Sequence, residues 1–309
     1  MYGLGVDTRM DELQKYCYGL ELRIACREKH GNEFQSFFEK VMSSKHGEDF
    51  KTIRPYGNKG DMKCDGYIAS TQVVFQCYAP EGLLPLDYTL KKIDTDFEGA
   101  KTHWPDMTGW TFVTNQKALP AEVTQTIENL DKAHAGIKVD NFGYESFRVI
   151  VFSLPIDRLV ELFGHVPTTR DMNNLTFLEV QPVLKYLQKT RPDPLYPVNA
   201  PSVTKLEAND LSSDVEGLLR LGRLQEPLVQ NYFDRNADPD IADEIAQSYR
   251  EKYQELKRQG LLGDDIFLEL QKFTGGPERG APSKEAAVLA VMSYFFERCD
   301  IFEDAEIQS

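Results

Sequence analysis

The segment that most constrains the fold is residues 72–79, a run of β-branched and aromatic residues (QVVFQCYA). Such a run is typical of a buried β-strand. Residues 61–69 predict a strand just before it, and Ser70 and Thr71 between the two predict a tight turn. Two strands joined in this way form a hairpin, so the sequence places an antiparallel strand pair near the centre of its first half.

Segments with helical or strand periodicity surround the hairpin. Apolar residues recur at three- and four-residue spacing over residues 11–29, 33–42 and 90–100, and Pro120 opens a helix that extends to about His134. Asn32 is the expected N-cap of the second helix. Further strands are predicted over residues 50–55, 110–114 and 149–152, and a short helix over 156–164. This order of elements predicts an α/β layer with a mixed sheet.

The C-terminal part has a different pattern. Residues 191–202 (RPDPLYPVNAPS) contain four prolines, which predict a linker. Helices are predicted over residues 210–224, 239–259, 264–273 and 283–299, and the last is apolar enough to be a buried core or partner-packing helix. The predicted organisation is an α/β domain over 1–165, a linker region over 166–204 that is proline-rich from 191, and a helical domain over 205–309.

Composition narrows the class of protein. Hydrophobic residues make up 41% of the 309 residues, which is enough for a packed core, and no apolar run is long enough to cross a membrane. Five cysteines without CxxC spacing and a charged N-terminus without a signal peptide indicate a cytoplasmic protein with reduced thiols. The net charge is −14, of which −4 lies in residues 1–170 and −10 in the rest. By itself this balance favours no DNA binding at all. If the first domain does touch nucleic acid, a local patch is expected to do so, with a partner supplying much of the affinity.

The predicted hairpin carries the residues best suited to chemistry. Alternate residues of a strand point the same way, so Asp61, Lys63 and Asp65 are expected on one face. Gln76 and Tyr78 share a face of the next strand, while Phe75 and Cys77 turn to the opposite face. Metal-dependent hydrolysis of a phosphodiester needs carboxylates for the cation and a basic group near the phosphate. Glu33, in the first turn of the preceding helix, is expected to reach the same place.

These residues resemble the Mrr-like branch of the PD-(D/E)XK nucleases. That branch builds its metal site from a G-x-E-F helix, a D-G strand and a Q-x-K strand, and this chain has Gly31–Phe34 (GNEF), Asp65-Gly66 and Gln76-Cys77-Tyr78. The resemblance implies a PD-(D/E)XK restriction-endonuclease-like mixed sheet flanked by helices. It implies Glu33, Asp65 and Gln76 as ligands of Mg²⁺ or Mn²⁺.

Tyr78 departs from the Mrr-like pattern, because it stands where the lysine belongs. A tyrosine donates a hydrogen bond but carries no fixed positive charge. Either another lysine has taken the role or catalysis has been lost. Lys63 on the neighbouring strand and Lys92 in the following helix are the candidates for a displaced lysine.

Longer strings resemble a second group of proteins. Residues 60–67 (GDMKCDGY), 75–81 (FQCYAPE), 91–100 (KKIDTDFEGA) and 110–115 (WTFVTN) are similar to N-terminal effector domains of bacterial ABC-three-component systems. Residues 294–303 (YFFERCDIFE) are similar to their C-terminal partner-docking modules. The resemblance implies antiviral defence, an ABC/SMC-like ATPase and a small middle component as partners. It leaves open whether the chain forms a homo-oligomer.

The sequence thus favours a cytoplasmic, Mg²⁺-dependent deoxyribonuclease effector that acts on DNA, with Glu33, Asp65, Gln76, Tyr78, Lys63 and Lys92 in its site. The alternative is a catalytically inactive nuclease fold that serves as a nucleic-acid or protein-binding scaffold. Each candidate also has an ordinary structural interpretation. Asp65-Gly66 is a common turn pair, and Glu33 is favourable as a negative charge at a helix N-terminus.

Overall fold

The computed structural model of the chain describes residues 10–54, 62–82, 84–190, 211–276 and 280–298. Contacts divide them into two compact units, here called the sheet unit (residues 21–164) and the helical unit (residues 10–20 and those after 164). Helix α1 spans Glu12–Glu28. Its residues up to Leu20 belong to the helical unit, and its residues from Glu21 onward belong to the sheet unit.

A five-stranded mixed sheet forms the centre of the sheet unit, as the sequence predicted. Its strands in spatial order are β1 (Phe50–Thr52), β2 (Gly66–Ile68), β3 (Val73–Tyr78), β4 (Gly109–Thr114) and β5 (Lys138–Phe142). The first three strands pair antiparallel, and β3, β4 and β5 are parallel. The carboxyl ends of the three parallel strands therefore meet at one edge, where ligands of open α/β sheets bind.

Helices cover both faces of the sheet. They are α2 (Gly31–His46), α3 (Leu86–His103), α4 (Ala121–Ala133), α5 (Tyr144–Val151) and α6 (Ile156–Phe163). Phe97 of α3 packs on Trp110 of β4, and both belong to one buried cluster with residues of α4. On the opposite face, Phe38 of α2 contacts Phe50, Phe75 and Phe142. Alternate strand residues thus reach two separate apolar layers, which fixes the strand register.

The helical unit is built around its last helix. Its helices are α7 (Thr169–Asn173), α8 (Phe177–Leu187), α9 (Ser213–Gly222), α10 (Glu226–Asp234), α11 (Ile241–Arg258), α12 (Gly263–Gly275) and α13 (Pro282–Arg298). Helix α13 packs against five of the others, and its residues 286–296 are buried. This confirms the predicted buried core helix. Gly222 permits the close approach of α9, since a Cβ there would lie 2.8 Å from the carbonyl oxygen of Leu289.

Several elements differ from the sequence prediction. Residues 149–152, predicted as a strand, lie mostly in helix α5, and the fifth strand is β5, which the sequence did not reveal because Lys138, Asp140 and Asn141 interrupt its apolar pattern. Helix α2 begins at Gly31 with His30 at the N-cap, so Asn32 lies inside the helix. Helix α10 was also missed.

The region predicted as a linker over 166–204 contains α7 and α8, which pack within the helical unit. Each helix begins with a threonine capping box, at Thr168 with Asp171 and at Thr176 with Glu179. The proline-rich residues 191–202 lie outside the described residues, as do Asp61 and residues 299–303. In the ranges that the structure describes, no helix is both long and apolar enough to cross a membrane.

Candidate functional site

Asp65 lies immediately before β2, at the point where β2 and β3 begin to separate. Its backbone N–H donates to the carbonyl oxygen of Phe75, which continues the strand pairing by one residue. Its carboxylate Oδ2 accepts hydrogen bonds from the Gln76 side-chain amide at 2.8 Å and from the Cys77 backbone N–H at 2.7 Å. The side chain is only 5% exposed. A buried carboxylate held by two donors is fixed in position and is not a solvated turn residue.

Gln76 lies opposite Asp65 in the antiparallel register, since Gly66 pairs with Phe75. Residues directly opposite in such a pair point to the same face of the sheet. Its Nε2 is used by Asp65, whereas its Oε1 is buried and has no hydrogen-bond partner among the described residues. A buried acceptor without a partner costs free energy unless a water, ion or ligand satisfies it. Gln76 therefore has an unused oxygen on the same amide that is hydrogen-bonded to the Asp65 carboxylate.

Tyr78 lies two residues further along β3, on the same face as Gln76. Its hydroxyl is 2.9 Å from the Thr89 hydroxyl of α3, and the Lys92 ammonium is 6.0 Å from the centre of its ring. An ammonium at this distance from an aromatic face is attracted by the negative ring face. In the nuclease pattern a lysine occupies this position of the strand. Here the position is occupied by Tyr78, and Lys92 of the next helix lies beside the tyrosine ring.

Both candidate lysines share one buried partner. Asp96 of α3 is 1% exposed, and it forms ion pairs with Lys63 at 2.9 Å and with Lys92 at 2.7 Å. Gly99 makes room for the first pair, because a Cβ at that position would lie 2.7 Å from Cγ of Lys63. Asp96 was not among the residues predicted from the sequence, although its i,i+4 spacing from Lys92 is typical of an ion pair on a helix.

The backbone before Asp65 is a turn and not the predicted strand. Met62 and Lys63 have φ angles of 55° and 58°, in the left-handed region that non-glycine residues rarely adopt. The indole N–H of Trp104 donates to the carbonyl oxygen of Met62 and holds this turn. The prediction that Asp65 and Lys63 share a strand face is therefore wrong. Lys63 reaches Asp96 from a turn.

The helix glutamate that the structure places beneath the sheet is Glu39 and not Glu33. Glu33 is exposed in the first turn of α2, and no hydrogen bond among the described residues joins it to Asp65. Glu39 is 5% exposed and accepts two hydrogen bonds from Arg54, at 3.0 and 2.7 Å. Burial raises the pKa of the Cys77 thiol well above its ordinary value, and the charges of Asp65 and Glu39 raise it further. Glu39 therefore acts electrostatically on the residue next to Gln76.

Two concave surfaces adjoin these residues. A cavity of about 120 Å³ lies at the carboxyl ends of β3 and β4 and is lined by Tyr78, Thr89 and Gln116 among others. A groove of about 660 Å³ is lined by residues of α2, α6 and the edge strand β1, and it includes Glu39 and Arg54. Asp65 lines neither. Within the described ranges, no group of three or more histidine, cysteine, aspartate or glutamate residues is arranged to hold a metal ion.

The fold and the site define an α/β protein with a mixed sheet, buried polar groups at the carboxyl end of the sheet, and a separate helical unit. Residues 179–303 match the family model of C-terminal domain 10 of the ABC-three component (ABC-3C) systems. This match covers α8 to α13 and ties the chain to those systems. Comparison with curated proteins and with solved structures found no match.

Proposed function

We propose that the chain is the effector of an ABC-three-component defence system and that its sheet unit is a metal-dependent DNA endonuclease of the PD-(D/E)XK type. The observation that carries this proposal is the Asp65–Gln76 pair. The buried carboxylate of Asp65, just before β2, is hydrogen-bonded to the side-chain amide of Gln76 in β3, and the oxygen of that amide has no partner among the described residues.

The donor set fits Mg²⁺ or Mn²⁺. Both are hard cations that prefer oxygen ligands, and Mg²⁺ commonly takes one or two protein carboxylates with water and substrate phosphate in the remaining positions. Asp65 and Gln76 Oε1 would hold the cation. Glu33 remains a proposed ligand through water only, since it is exposed in the first turn of α2. The bound cation would supply Lewis-acid activation of the phosphate.

The remaining candidate residues would orient the phosphate. Lys92 and Lys63 provide positive charge on the α3 side of the sheet, and Asp96 fixes their positions. Tyr78 donates its hydroxyl hydrogen or accepts one at Thr89 and cannot itself supply charge. In this proposal the lysine of the nuclease pattern has moved from the strand to the neighbouring helix and turn.

The helical unit would connect the effector to its partners. We propose that an ABC/SMC-like ATPase and a small middle component bind it and control the sheet unit. The net charge of −14 supports this dependence, because a chain with an excess of acidic residues is repelled by the phosphate backbone of DNA and a basic partner would offset that repulsion.

The test is a cleavage assay with the full chain, alone and with its two partner components, on plasmid DNA with Mg²⁺ or Mn²⁺. Cleavage that Asp65→Ala reduces at least 100-fold supports the proposal. Asp140→Ala is the matched control, since Asp140 is an exposed aspartate of β5. The circular dichroism spectrum of both variants establishes that they fold. Cleavage that is equal in Asp65→Ala and the parent overturns the assignment of the site.

A second function, an inactive nuclease fold that binds nucleic acid or protein, is favoured by one specific observation. Tyr78 occupies the strand position that is a lysine in the nuclease pattern. The two nearby lysines, Lys63 and Lys92, both form ion pairs with the buried Asp96. The same assay separates the two functions. DNA binding that persists in a metal chelator, without cleavage under any condition, would support the scaffold.

A further inference from the structure

The cavity at the carboxyl ends of β3 and β4, here called the strand-end cavity, has a lining suited to one small planar group. Tyr78 and Phe112 line it from the sheet, with their rings 5.4 Å apart and tilted by 32°, and Pro80 and Pro120 also contribute. Its volume of about 120 Å³ is below the several hundred Å³ of pockets for drug-sized ligands. It is therefore too small for a helix or a whole nucleotide, and only a group about the size of one ring system is a candidate occupant.

Exposed apolar side chains are concentrated at this cavity. Leu84 and Leu86 line it and are 44% and 36% exposed, and the neighbouring Tyr88 is 56% exposed. Three large apolar side chains exposed within five residues form a patch, whereas isolated ones are ordinary on a protein surface. Leu84 lies on the segment that joins β3 to α3, and Leu86 and Tyr88 lie in the first turn of α3, so the patch follows β3 directly along the chain.

Polar groups in the lining are placed for specific pairing. The Gln116 side-chain amide makes no hydrogen bond to any described residue, and it is half-buried. An amide offers a donor and an acceptor side by side, which matches the edge of a nucleobase. The Lys92 ammonium lies 6.0 Å from the centre of the Tyr78 ring, and Tyr78 is part of the lining. A planar group in the cavity would thus have a cation nearby.

We propose that the strand-end cavity binds one unpaired nucleobase, with Gln116 pairing to the base edge and Lys92 close to the phosphate of the same strand. Pockets that accept an extruded base combine apolar or aromatic walls with a few hydrogen-bonding groups. The inference deepens the proposed function and rests on it. It makes the substrate single-stranded or locally unpaired nucleic acid, since a stacked and paired base cannot enter.

Binding of short single-stranded DNA, measured in a metal chelator, tests this without requiring cleavage. The probes are an oligonucleotide with one 2-aminopurine, the same oligonucleotide with an abasic site at that position, and the duplex form. The full chain is expected to change 2-aminopurine fluorescence on binding and to bind the abasic and duplex forms about tenfold more weakly, which corresponds to about 1.4 kcal/mol.

Two pairs of variants locate the contact. Gln116→Ala and Leu86→Ser are expected to weaken binding of the single strand about tenfold. Gln125→Ala, an exposed glutamine of α4, and Val149→Ser, at an exposed apolar residue of α5, are expected to leave it unchanged. Circular dichroism of each variant establishes that the fold is retained.

The outcomes distinguish this inference from the proposed nuclease. Cleavage with equal binding of intact and abasic strands would overturn base capture and leave the nuclease standing. Base-dependent binding without cleavage would support base capture within the inactive scaffold. No binding of any strand, together with loss of partner binding in Leu86→Ser, would overturn the inference and identify the patch as a protein contact.

Discussion

The sheet unit and the helical unit bury polar groups in different ways. The sheet unit holds Asp65, Gln76 and Asp96 at 5%, 6% and 1% exposure, on or facing one side of a sheet, and the buried Gln76 Oε1 has no partner among the described residues. In the helical unit, the buried Gln247 amide donates to the carboxylate of Glu251, which is exposed, so no second buried carboxylate is involved. Gln247 Oε1 and Ser293 Oγ are likewise buried without a partner among the described residues. The central helix α13 of this unit is mostly apolar.

The two observations that bear on function, the family match and the buried polar groups, lie in different units. The match to the ABC-three component systems falls in the helical unit, whereas the polar groups that are candidates for chemistry lie in the sheet unit. The match therefore bears on the relationship of the helical unit to those systems, and it carries no information on catalysis. Function has to be argued from the site itself.

The chain contains a natural probe for the comparison. Its two tryptophans, Trp104 and Trp110, both lie in the sheet unit, so tryptophan fluorescence reports on that unit. Far-ultraviolet circular dichroism at the helical minimum reports on both units and is weighted toward the helical one. Urea unfolding followed by both signals separates effects on the two units.

The largest expected effect is that of Phe38→Ala. Phe38 is fully buried between α2 and the sheet, where it contacts Phe50, Phe75 and Phe142. Truncation leaves a cavity and is expected to lower the free energy of unfolding by about 4 kcal/mol in the fluorescence transition. Val149→Ala, at a residue that is 72% exposed, is the control and should change it by less than about 0.5 kcal/mol. Equal effects of the two variants would contradict the described core.

Gly222→Ala tests the helical unit. The added Cβ would meet the Ser293 side chain and the carbonyl oxygen of Leu289, so α9 has to move away from α13. The overpacking is expected to cost about 2 kcal/mol, mainly in the circular dichroism transition. Gly82→Ala is the control, because open space surrounds that glycine. A stabilised Gly222→Ala protein would show that the two helices are not in close contact.

Asp96→Asn tests the shared ion pair of the sheet unit. The change leaves Lys63 and Lys92 without their common carboxylate, but the two lysine side chains are 41% and 29% exposed and can recover water. The expected loss is about 1.5 kcal/mol, less than for a fully buried pair. Asp94→Asn, at an exposed aspartate of the same helix, should have no measurable effect. If Asp96→Asn and Asp94→Asn have the same free energy of unfolding, the ion pairs of Asp96 with the two lysines do not stabilise the sheet unit.

The smallest expected effect is the dependence of the stability of the sheet unit on pH through the carboxylate of Asp131. Its pKa is lowered by the hydrogen bond from the Val139 backbone N–H and by Lys138. A lowered folded-state pKa means that the stabilisation is present above the ordinary aspartate value of 3.8 and is lost as pH falls through the folded value. The difference in urea midpoint between the parent and Asp131→Asn should therefore shrink on acidification below about pH 4. If the difference in urea midpoint between the parent and Asp131→Asn became larger in acid, it would contradict a lowered pKa of Asp131 in the folded state.

The sequence predicted most of the elements because their apolar spacing is regular. Residues 72–79 and α13 are mostly apolar, and the structure confirms both as a strand and a buried helix. Strand β5 was missed because its pattern is interrupted by Lys138, Asp140 and Asn141, and parallel pairing with β4 fixes it as a strand. The short helices α7 and α8 were missed because their threonine caps lie in a stretch that was interpreted as a linker.

The candidate site was predictable in part. Strand alternation correctly placed Gln76 and Tyr78 on one face, and the hairpin register brings Asp65 opposite Gln76. The left-handed turn at Met62 and Lys63 was not predictable, because its conformation depends on Trp104, which lies 42 residues away in sequence. The roles of Glu39 and Asp96 follow from tertiary burial, which local spacing does not reveal.

The central claim is that Asp65 and Gln76 form the cation site of the sheet unit. Calorimetric titration of Mn²⁺ into the full chain tests it most directly. The account predicts one site that is lost in Asp65→Asn, weakened about tenfold in Gln76→Leu, and unchanged in Asp140→Asn. Binding of Mn²⁺ that is the same in Asp65→Asn and the parent, or its absence from the parent, would contradict it.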